Sequence, residues 1–136
     1  MVCLHTAGSD GRMYRHQLCD PDISANFRTI VFDVPRHGKS LPPAGWHLEE
    51  DEYKLTTSFY AEFIVEFCRA LELHKPVIMG QSMGGNICLE LALRYENEFS
   101  ALIAMEACDY SPGWWIDPLH HPEIHGGEAV ATSVFG

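Results

Sequence analysis

The sequence has few basic residues and no long hydrophobic run, and each shortage excludes a class of protein. Only 9 Lys and Arg stand against 19 Asp and Glu, which gives a formal net charge of −10. Because a phosphate backbone needs a basic face, we expect no nucleic acid partner. The longest unbroken apolar run covers only residues 101–105, whereas a membrane span needs roughly 20 residues. We therefore expect no membrane partner either.

Cysteine is also scarce and widely spaced. The 5 cysteines include no C-x-x-C pair, and no charged and then apolar export signal opens the chain. This pattern predicts reduced thiols and a cytoplasmic protein. The 136 residues include 46% hydrophobic and 21% charged residues, which is close to the globular average and excludes a disordered chain. The length fits one domain.

Strand-like and helix-like apolar patterns alternate along the chain. Strands are predicted at residues 1–5, 28–34, 77–79 and 100–107, the last of them buried. Helices are predicted at residues 12–19, 59–73 (with Ser58 as N-cap) and 83–95. This order is typical of a parallel sheet covered on both faces. The sequence therefore predicts an α/β fold with about four mostly parallel strands and helices on both faces.

The two longer predicted helices have assignable apolar faces. In the first, four apolar residues recur every four positions and are flanked by two more: Phe59, Phe63, Phe67 and Leu71, with Ile64 and Cys68. The side chains predicted to pack inward from the second are Ile87, Cys88, Leu91, Ala92 and Tyr95. On the solvent face of the second helix, Glu90 and Arg94 are spaced to form an ion pair.

A G-x-S-x-G motif, Gly80-Gln81-Ser82-Met83-Gly84, joins the third predicted strand to the helix at 83–95. In this setting Ser82 would occupy a sharp turn with its hydroxyl above the edge of the sheet. Glycines on both sides remove side chains that would clash there, and the helix dipole favours negative charge nearby. Ser82 is therefore a candidate nucleophile. The alternative is an ordinary glycine-rich turn in which Ser82 only caps the helix.

Two further motifs follow the first two predicted strands. Leu4-His5-Thr6-Ala7-Gly8 ends the first strand, and Asp33-Val34-Pro35-Arg36-His37-Gly38-Lys39-Ser40 ends the second. With the G-x-S-x-G motif, in this order and spacing, they resemble the α/β-hydrolase superfamily over roughly residues 3–110. The motifs indicate the superfamily and no particular substrate.

The resemblance implies a nucleophile and an oxyanion hole. Ser82 would be the nucleophile, and the backbone N–H groups of Met83 and Ala7 would bind the oxyanion. His5 and His37 would brace the loops by hydrogen bonds and would not serve as the catalytic base.

Two positions depart from the usual pattern of the family. Thr6 and Arg36 both stand where glycine is usual. Thr6 puts the exact shape of the oxyanion loop in question. For Arg36 we expect a side chain that points to solvent, the alternative being the mouth of the pocket.

The resemblance also implies an acid and a histidine later in the chain. Some members place the acid where Glu106 stands, after the strand that follows the helix at residues 83–95. Asp109 is a second candidate, and a strand-end carboxylate in contact with water or a loop is the alternative for Glu106. The candidate bases are His120, His121 and His125. Nothing in their spacing shows that they reach Ser82, so we expect the catalytic histidine to lie outside this chain.

The same histidines, together with Glu123, raise the question of a metal site. His121 and His125 have a helical spacing, but Pro122 lies between them. We therefore interpret this segment as a polar loop and predict no metal. No cofactor is predicted.

The resemblance assigns residues 1–111 to part of an α/β-hydrolase core and residues 112–136 to the start of a cap region. Members usually have two strands before the first one here and the triad histidine after the last, so we expect an incomplete chain.

The implied activity is that of a serine hydrolase that attacks an ester-like or related carbonyl substrate through an acyl-enzyme on Ser82. A haloalkane dehalogenase is disfavoured because that branch uses Asp at this position. Trp114 and Trp115 would suit a small-molecule substrate with an apolar acyl group or a ring, the alternative being that they are packing anchors for the cap. The alternatives are a non-catalytic ligand-binding protein on the same fold and an inactive truncated fragment. A homo-oligomer is left open.

Overall fold

The computed structural model describes residues 1–41 and 55–107. Four strands in this part form one sheet: β1 (Val2–Leu4), β2 (Ile30–Val31), β3 (Val77–Gln81) and β4 (Ala101–Met105). They are all parallel and lie in the order β2-β1-β3-β4. The predicted α/β class and parallel sheet are therefore confirmed. The second strand is shorter than its apolar sequence predicted.

The helices between the strands are α1 (Arg15–Cys19), α2 (Pro21–Asn26), α3 (Thr57–Ala70) and α4 (Met83–Arg94). Short 3-10 turns cover Gly11–Tyr14 and Glu96–Glu98. The chain crosses from β1 to β2 in one direction across the sheet and then returns past β1 to β3. Because crossovers are right-handed, this reversal puts α1 and α2 on one face and α3 and α4 on the other. In agreement, α3 and α4 pack against each other.

Helix α2 follows a capping signal that the sequence analysis did not use. The Asp20 side chain accepts hydrogen bonds from the backbone N–H groups of Asp22 and Ile23, both at 2.9 Å. Pro21 occupies the first helical turn, where its missing N–H costs nothing. This pair of residues starts a helix too short for apolar periodicity to detect.

Helix α3 begins earlier and is rotated relative to the prediction. The predicted N-cap, Ser58, lies inside the helix and was wrong: the N-cap is Thr56, whose Oγ1 accepts from the Phe59 N–H at 3.1 Å. The buried side chains are those of Tyr60, Ala61, Ile64, Val65 and Cys68, whereas Phe59 and Leu71 are 40% and 41% exposed. Residues four apart drift about 40° around a helix at each step. Four residues at that spacing therefore cannot all face one core, and the predicted stripe was wrong at both ends. The flanking Ile64 and Cys68 are buried as predicted.

Helix α4 and strand β4 show two smaller differences. Ile87, Cys88 and Leu91 are buried as predicted, but Ala92 is exposed. Strand β4 was predicted to be buried, and its side chains are instead exposed or half-buried. The reason is its place at one edge of the four described strands, where it pairs with β3 alone.

Candidate active site

Ser82 lies at a sharp turn between β3 and α4, with φ 53° and ψ −112°. Its backbone is fixed on both sides, since its N–H donates to the Met105 carbonyl and its carbonyl accepts from the Asn86 N–H, both at 2.8 Å. Within the described residues its hydroxyl makes no capping hydrogen bond to α4. Ser82 occupies the N-cap position of α4, but its side chain does not cap the helix, so the alternative of a capping serine hydroxyl is wrong. A positive φ at a residue with a Cβ marks a strained turn of the kind found at functional sites.

Glycines allow this turn to form because the backbone segments around it nearly touch. A Cβ at Gly80 would overlap the Gly84 carbonyl, and a Cβ at Gly84 would overlap the Leu4 carbonyl oxygen. A Cβ at Gly85 would lie 2.6 Å from the Met105 carbonyl oxygen. The start of α4 is thus pressed against the ends of β1 and β4.

The proposed oxyanion donors lie on segments that leave the sheet at the same edge. Met83 is the first residue of α4, and the first amides of a helix have no carbonyl partner inside it. Leu4 pairs with Gly80 in the β1–β3 register. The loop that carries Ala7 and the turn that carries Ser82 therefore start at the same level, at the carboxyl ends of these two neighbouring strands. The structure therefore brings both segments to one edge.

Glu106 directly follows β4 and is anchored beside the turn that carries Ser82. Its Oε2 accepts a hydrogen bond from the Gln81 Nε2 at 2.6 Å. Gln81 pairs with Met105 in the sheet and immediately precedes Ser82. Glu106 itself is solvent-exposed and has φ 49°. Its carboxylate thus lies at the same end of the sheet as Ser82, in contact with Gln81, the residue before the serine.

The remaining candidates lie outside the described residues. They are the alternative acid Asp109, the histidines His120, His121 and His125, the residues Glu123, Trp114 and Trp115, and the whole predicted cap segment 112–136. Within the described residues, no group of three or more His, Cys, Asp and Glu side chains could hold a metal ion.

His5 is fully buried and both of its ring nitrogens are engaged. The Val34 N–H donates to Nε2 at 3.0 Å, and Nδ1 lies 2.8 Å from the Thr6 carbonyl oxygen. Because Nε2 accepts, the proton must sit on Nδ1, which donates to Thr6. Burial lowers the pKa of His5 below its usual value. The predicted bracing role is confirmed, because no nitrogen is left to act as a base.

His37 packs beside it, with ring centroids 5.1 Å apart. Its Nδ1 lies 3.1 Å from the Pro35 carbonyl oxygen, which also accepts from the Tyr60 hydroxyl at 3.1 Å. Burial lowers the pKa of His37 as well. Both histidines are thus built into loop packing as neutral rings.

Asp33 lies at the same end of the sheet and has a structural role that was not predicted from the sequence. Its carboxylate accepts from the Gly11 N–H at 2.7 Å and from the Lys39 N–H at 2.8 Å. Desolvation raises the pKa of Asp33, but these two backbone hydrogen bonds outweigh it and leave the pKa below its usual value. A Cβ at Gly38 would overlap the same carboxylate. The motif at residues 33–40 carries the signal for this brace, because Asp33 and Gly38 are both part of it.

Arg36 departs from the prediction that it would point to solvent. It is only 9% exposed and has φ 69°. Its backbone N–H donates to the Ser40 carbonyl at 3.0 Å, which closes a tight turn. The left-handed backbone explains why glycine is the expected residue here, and the closed turn holds the arginine against the protein.

Four cysteines fall in the described residues, and all four are free thiols. Cys3, Cys68 and Cys88 are buried, and burial raises the pKa of Cys88 to about 12. Cys19 is exposed. No helix in the described part is both long enough and apolar enough to cross a membrane.

Comparisons with known proteins match this geometry. The magnesium-chelatase 30 kDa subunit of Rhodobacter capsulatus is 33% identical over 93 residues, which cover 68% of this chain and 30% of that protein. A protein of Mycobacterium phage D29, provisionally named a non-heme haloperoxidase, is 27% identical over 135 residues, or 99% of this chain and 42% of its own length. The crystal structure of a hydrolase from Pseudomonas aeruginosa PA01 superposes with a TM-score of 0.60 at 26% identity, over 74% of this chain and 34% of that one.

This chain therefore spans less than half the length of each of these relatives. The family model for the alpha/beta hydrolase fold matches residues 1–124. The parallel sheet, the strained turn after β3 and the loops after β1 and β2 are the parts of the structure that correspond to the three sequence motifs. On this evidence the chain belongs to the α/β hydrolase fold family.

Proposed function

We propose that this protein contributes the nucleophile and oxyanion hole of a serine hydrolase. The observation that carries the proposal is the backbone of Ser82, a non-glycine residue held at φ 53° between a strand and a helix. Strained backbone of this kind clusters at active sites. A serine there presents its hydroxyl above the sheet edge, next to the amides at the start of α4.

The proposed reaction is acyl transfer. The Ser82 Oγ attacks the carbonyl carbon of the substrate while a base accepts its proton. The N–H groups of Met83 and Ala7 would stabilise the resulting oxyanion, and such donors contribute about 3–4 kcal/mol each in comparable sites. Collapse of this intermediate expels the leaving group with a proton, and water then hydrolyses the ester on Ser82.

The proposed acid is Glu106, because its carboxylate is held by Gln81 at the end of the sheet that carries Ser82. The base would be a histidine outside the described residues, since both nitrogens of His5 are already engaged. Glu106 would orient that histidine and stabilise its charged form, as the acid does in other triads.

The proposed substrate is a small molecule with an ester-like or related carbonyl group. An apolar acyl group or ring is proposed because Trp114 and Trp115 follow the core in sequence and aromatic side chains favour such ligands. Ester, thioester and lactone hydrolysis all fit this apparatus. The family likeness supports the apparatus and leaves the choice among them to experiment.

A fluorophosphonate probe tests the proposal, because it reacts covalently with activated serines. We expect rapid labelling of the protein in the form that carries the catalytic histidine, with the adduct on the peptide that contains Ser82. Ser82→Ala should abolish labelling. Ser58→Ala is a matched control on α3, and it should label like the unchanged protein.

The second candidate is a non-catalytic ligand-binding protein on the same fold. Such a protein would keep the fold and the binding pocket without a catalytic base. This candidate predicts affinity for small carbonyl compounds with no labelling of Ser82.

A further inference from the structure

Gln81 connects the two residues on which the proposed chemistry depends. It is the last residue of β3 and immediately precedes Ser82. Its Nε2 donates a hydrogen bond to the Glu106 Oε2 at 2.6 Å. Position 81 is the first x of the G-x-S-x-G motif, where any residue is allowed, so the motif assigns Gln81 no role.

The backbone around Glu106 makes this hydrogen bond informative. Glu106 has φ 49°, a left-handed conformation that residues with a Cβ adopt only at a cost. It is also exposed at the end of β4, where a glutamate side chain has many rotamers to choose from. A single short hydrogen bond from Gln81 selects one direction for the carboxylate.

The sheet register fixes the spacing between the two residues. Gln81 pairs with Met105, and the Met105 carbonyl accepts from the Ser82 N–H at 2.8 Å. Residues 81 and 82 on one strand end and residues 105 and 106 on the other thus form one hydrogen-bonded unit. The Gln81 amide donates to the Oε2 atom of Glu106, and within residues 1–41 and 55–107 the Oε1 atom is left to accept a hydrogen bond from another group.

We propose that Gln81 is a positioning residue that aims the Glu106 carboxylate in the reaction of Ser82. The inference rests on the proposed serine hydrolase function. Gln81 would act through Glu106 and would not contact the reacting atoms. Its loss should therefore slow the chemical step and leave binding of the substrate unchanged.

The test measures fluorophosphonate inactivation of the full chain, separating the limiting rate kinact from the half-saturating concentration KI. Gln81→Met keeps the length of the side chain but removes the donor. We expect kinact to fall about tenfold with KI unchanged, the size of effect typical for one hydrogen bond to a charged group. Glu106→Gln should cost on the order of 100-fold or more.

The double variant decides whether the two residues act as one unit. If Gln81 works only through Glu106, adding Gln81→Met to Glu106→Gln should cause no further loss. Gln81→Asn, whose amide is one methylene too short to reach, should resemble Gln81→Met. Ser58→Ala removes the 2.8 Å hydrogen bond from Ser58 to Glu90, away from the site, and should leave kinact unchanged. Thermal midpoints by circular dichroism identify any variant that loses rate through unfolding.

Two results would overturn the inference alone. One is labelling of Ser82 at a rate within about twofold of the unchanged protein in both Gln81 variants, and the other is losses that multiply in the double variant. Failure of the unchanged protein to label at Ser82 would instead refute the proposed function, and the inference with it.

Discussion

Replacing Ser82 by glycine should stabilise the fold while removing the proposed nucleophile. Ser82 has φ 53° and ψ −112°, and a residue with a Cβ in such a sparsely populated region costs about 1–3 kcal/mol. Glycine adopts positive φ freely, so it would release that strain. The serine hydroxyl makes no capping hydrogen bond to α4 in the described structure, and its removal therefore leaves no helix amide unpaired.

The expected size follows from two opposing contributions. Glycine has more freedom in the unfolded chain, which costs about 0.5–1 kcal/mol. Subtracted from the relief of strain, this leaves a net stabilisation of about 1 kcal/mol, or roughly 3–5 °C in the thermal midpoint for a chain of this length. Ser82→Ala keeps a Cβ and therefore keeps the strain, so it should not be stabilised.

The assay is unfolding by urea and by heat, followed by circular dichroism, for the unchanged protein and both variants. The matched control is Thr56→Gly, at a helix N-cap with an ordinary φ of −79°. Thr56 caps α3 through its side chain, so glycine there should destabilise. If Ser82→Gly is less stable than Ser82→Ala, the turn is not strained and the reasoning fails.

Three further predictions concern packing, pH and thiol reactivity. Gly84→Ala would drive a Cβ into the β1 backbone and should lower the free energy of unfolding in urea by about 3 kcal/mol or more. Gly8 has φ 65° but open space around it, so Gly8→Ala should cost only about 1 kcal/mol. A similar cost at both positions would contradict the packing. Because burial lowers the pKa of His5 below 6.5, the unfolded chain binds a proton that the folded one does not. Stability should therefore be complete above pH 6.5 and fall as the pH drops toward the lowered value, and an unchanged urea midpoint between roughly pH 7.5 and 5.5 would count against a buried neutral ring. In alkylation mapped by mass spectrometry, the exposed Cys19 should react in the folded protein, whereas Cys88, with its pKa raised to about 12, should react only after unfolding.

The sequence predicted best the parts of the fold whose causes are local. The strand–turn–helix unit around Ser82 combines an apolar run, glycines at the points of closest approach and an amphipathic helix, and each signal lies within about 20 residues. The short helix α2 was missed because its signal is only a cap, Asp20, and a proline. The exposure of β4 was missed because an apolar strand reads the same at the edge of a sheet as in its middle.

The candidate site divides along the same line. Ser82, Met83 and Ala7 could be assigned from motifs, and their catalytic roles remain predictions. The hydrogen bond between the Val34 N–H and the His5 Nε2 joins residues 29 positions apart, and the one between Gln81 and Glu106 joins residues 25 positions apart. Such contacts depend on strand order and register, which no local pattern contains.

The central claim is that the Ser82 hydroxyl forms a covalent ester with substrate during turnover. The direct test is to mix the protein with p-nitrophenyl acetate, quench the reaction rapidly with acid and analyse the peptides by mass spectrometry. The account predicts an acetyl group on Ser82 that accumulates early and is absent from Ser82→Ala. Release of p-nitrophenol with no acetylated Ser82, or at an equal rate from Ser82→Ala, would contradict it.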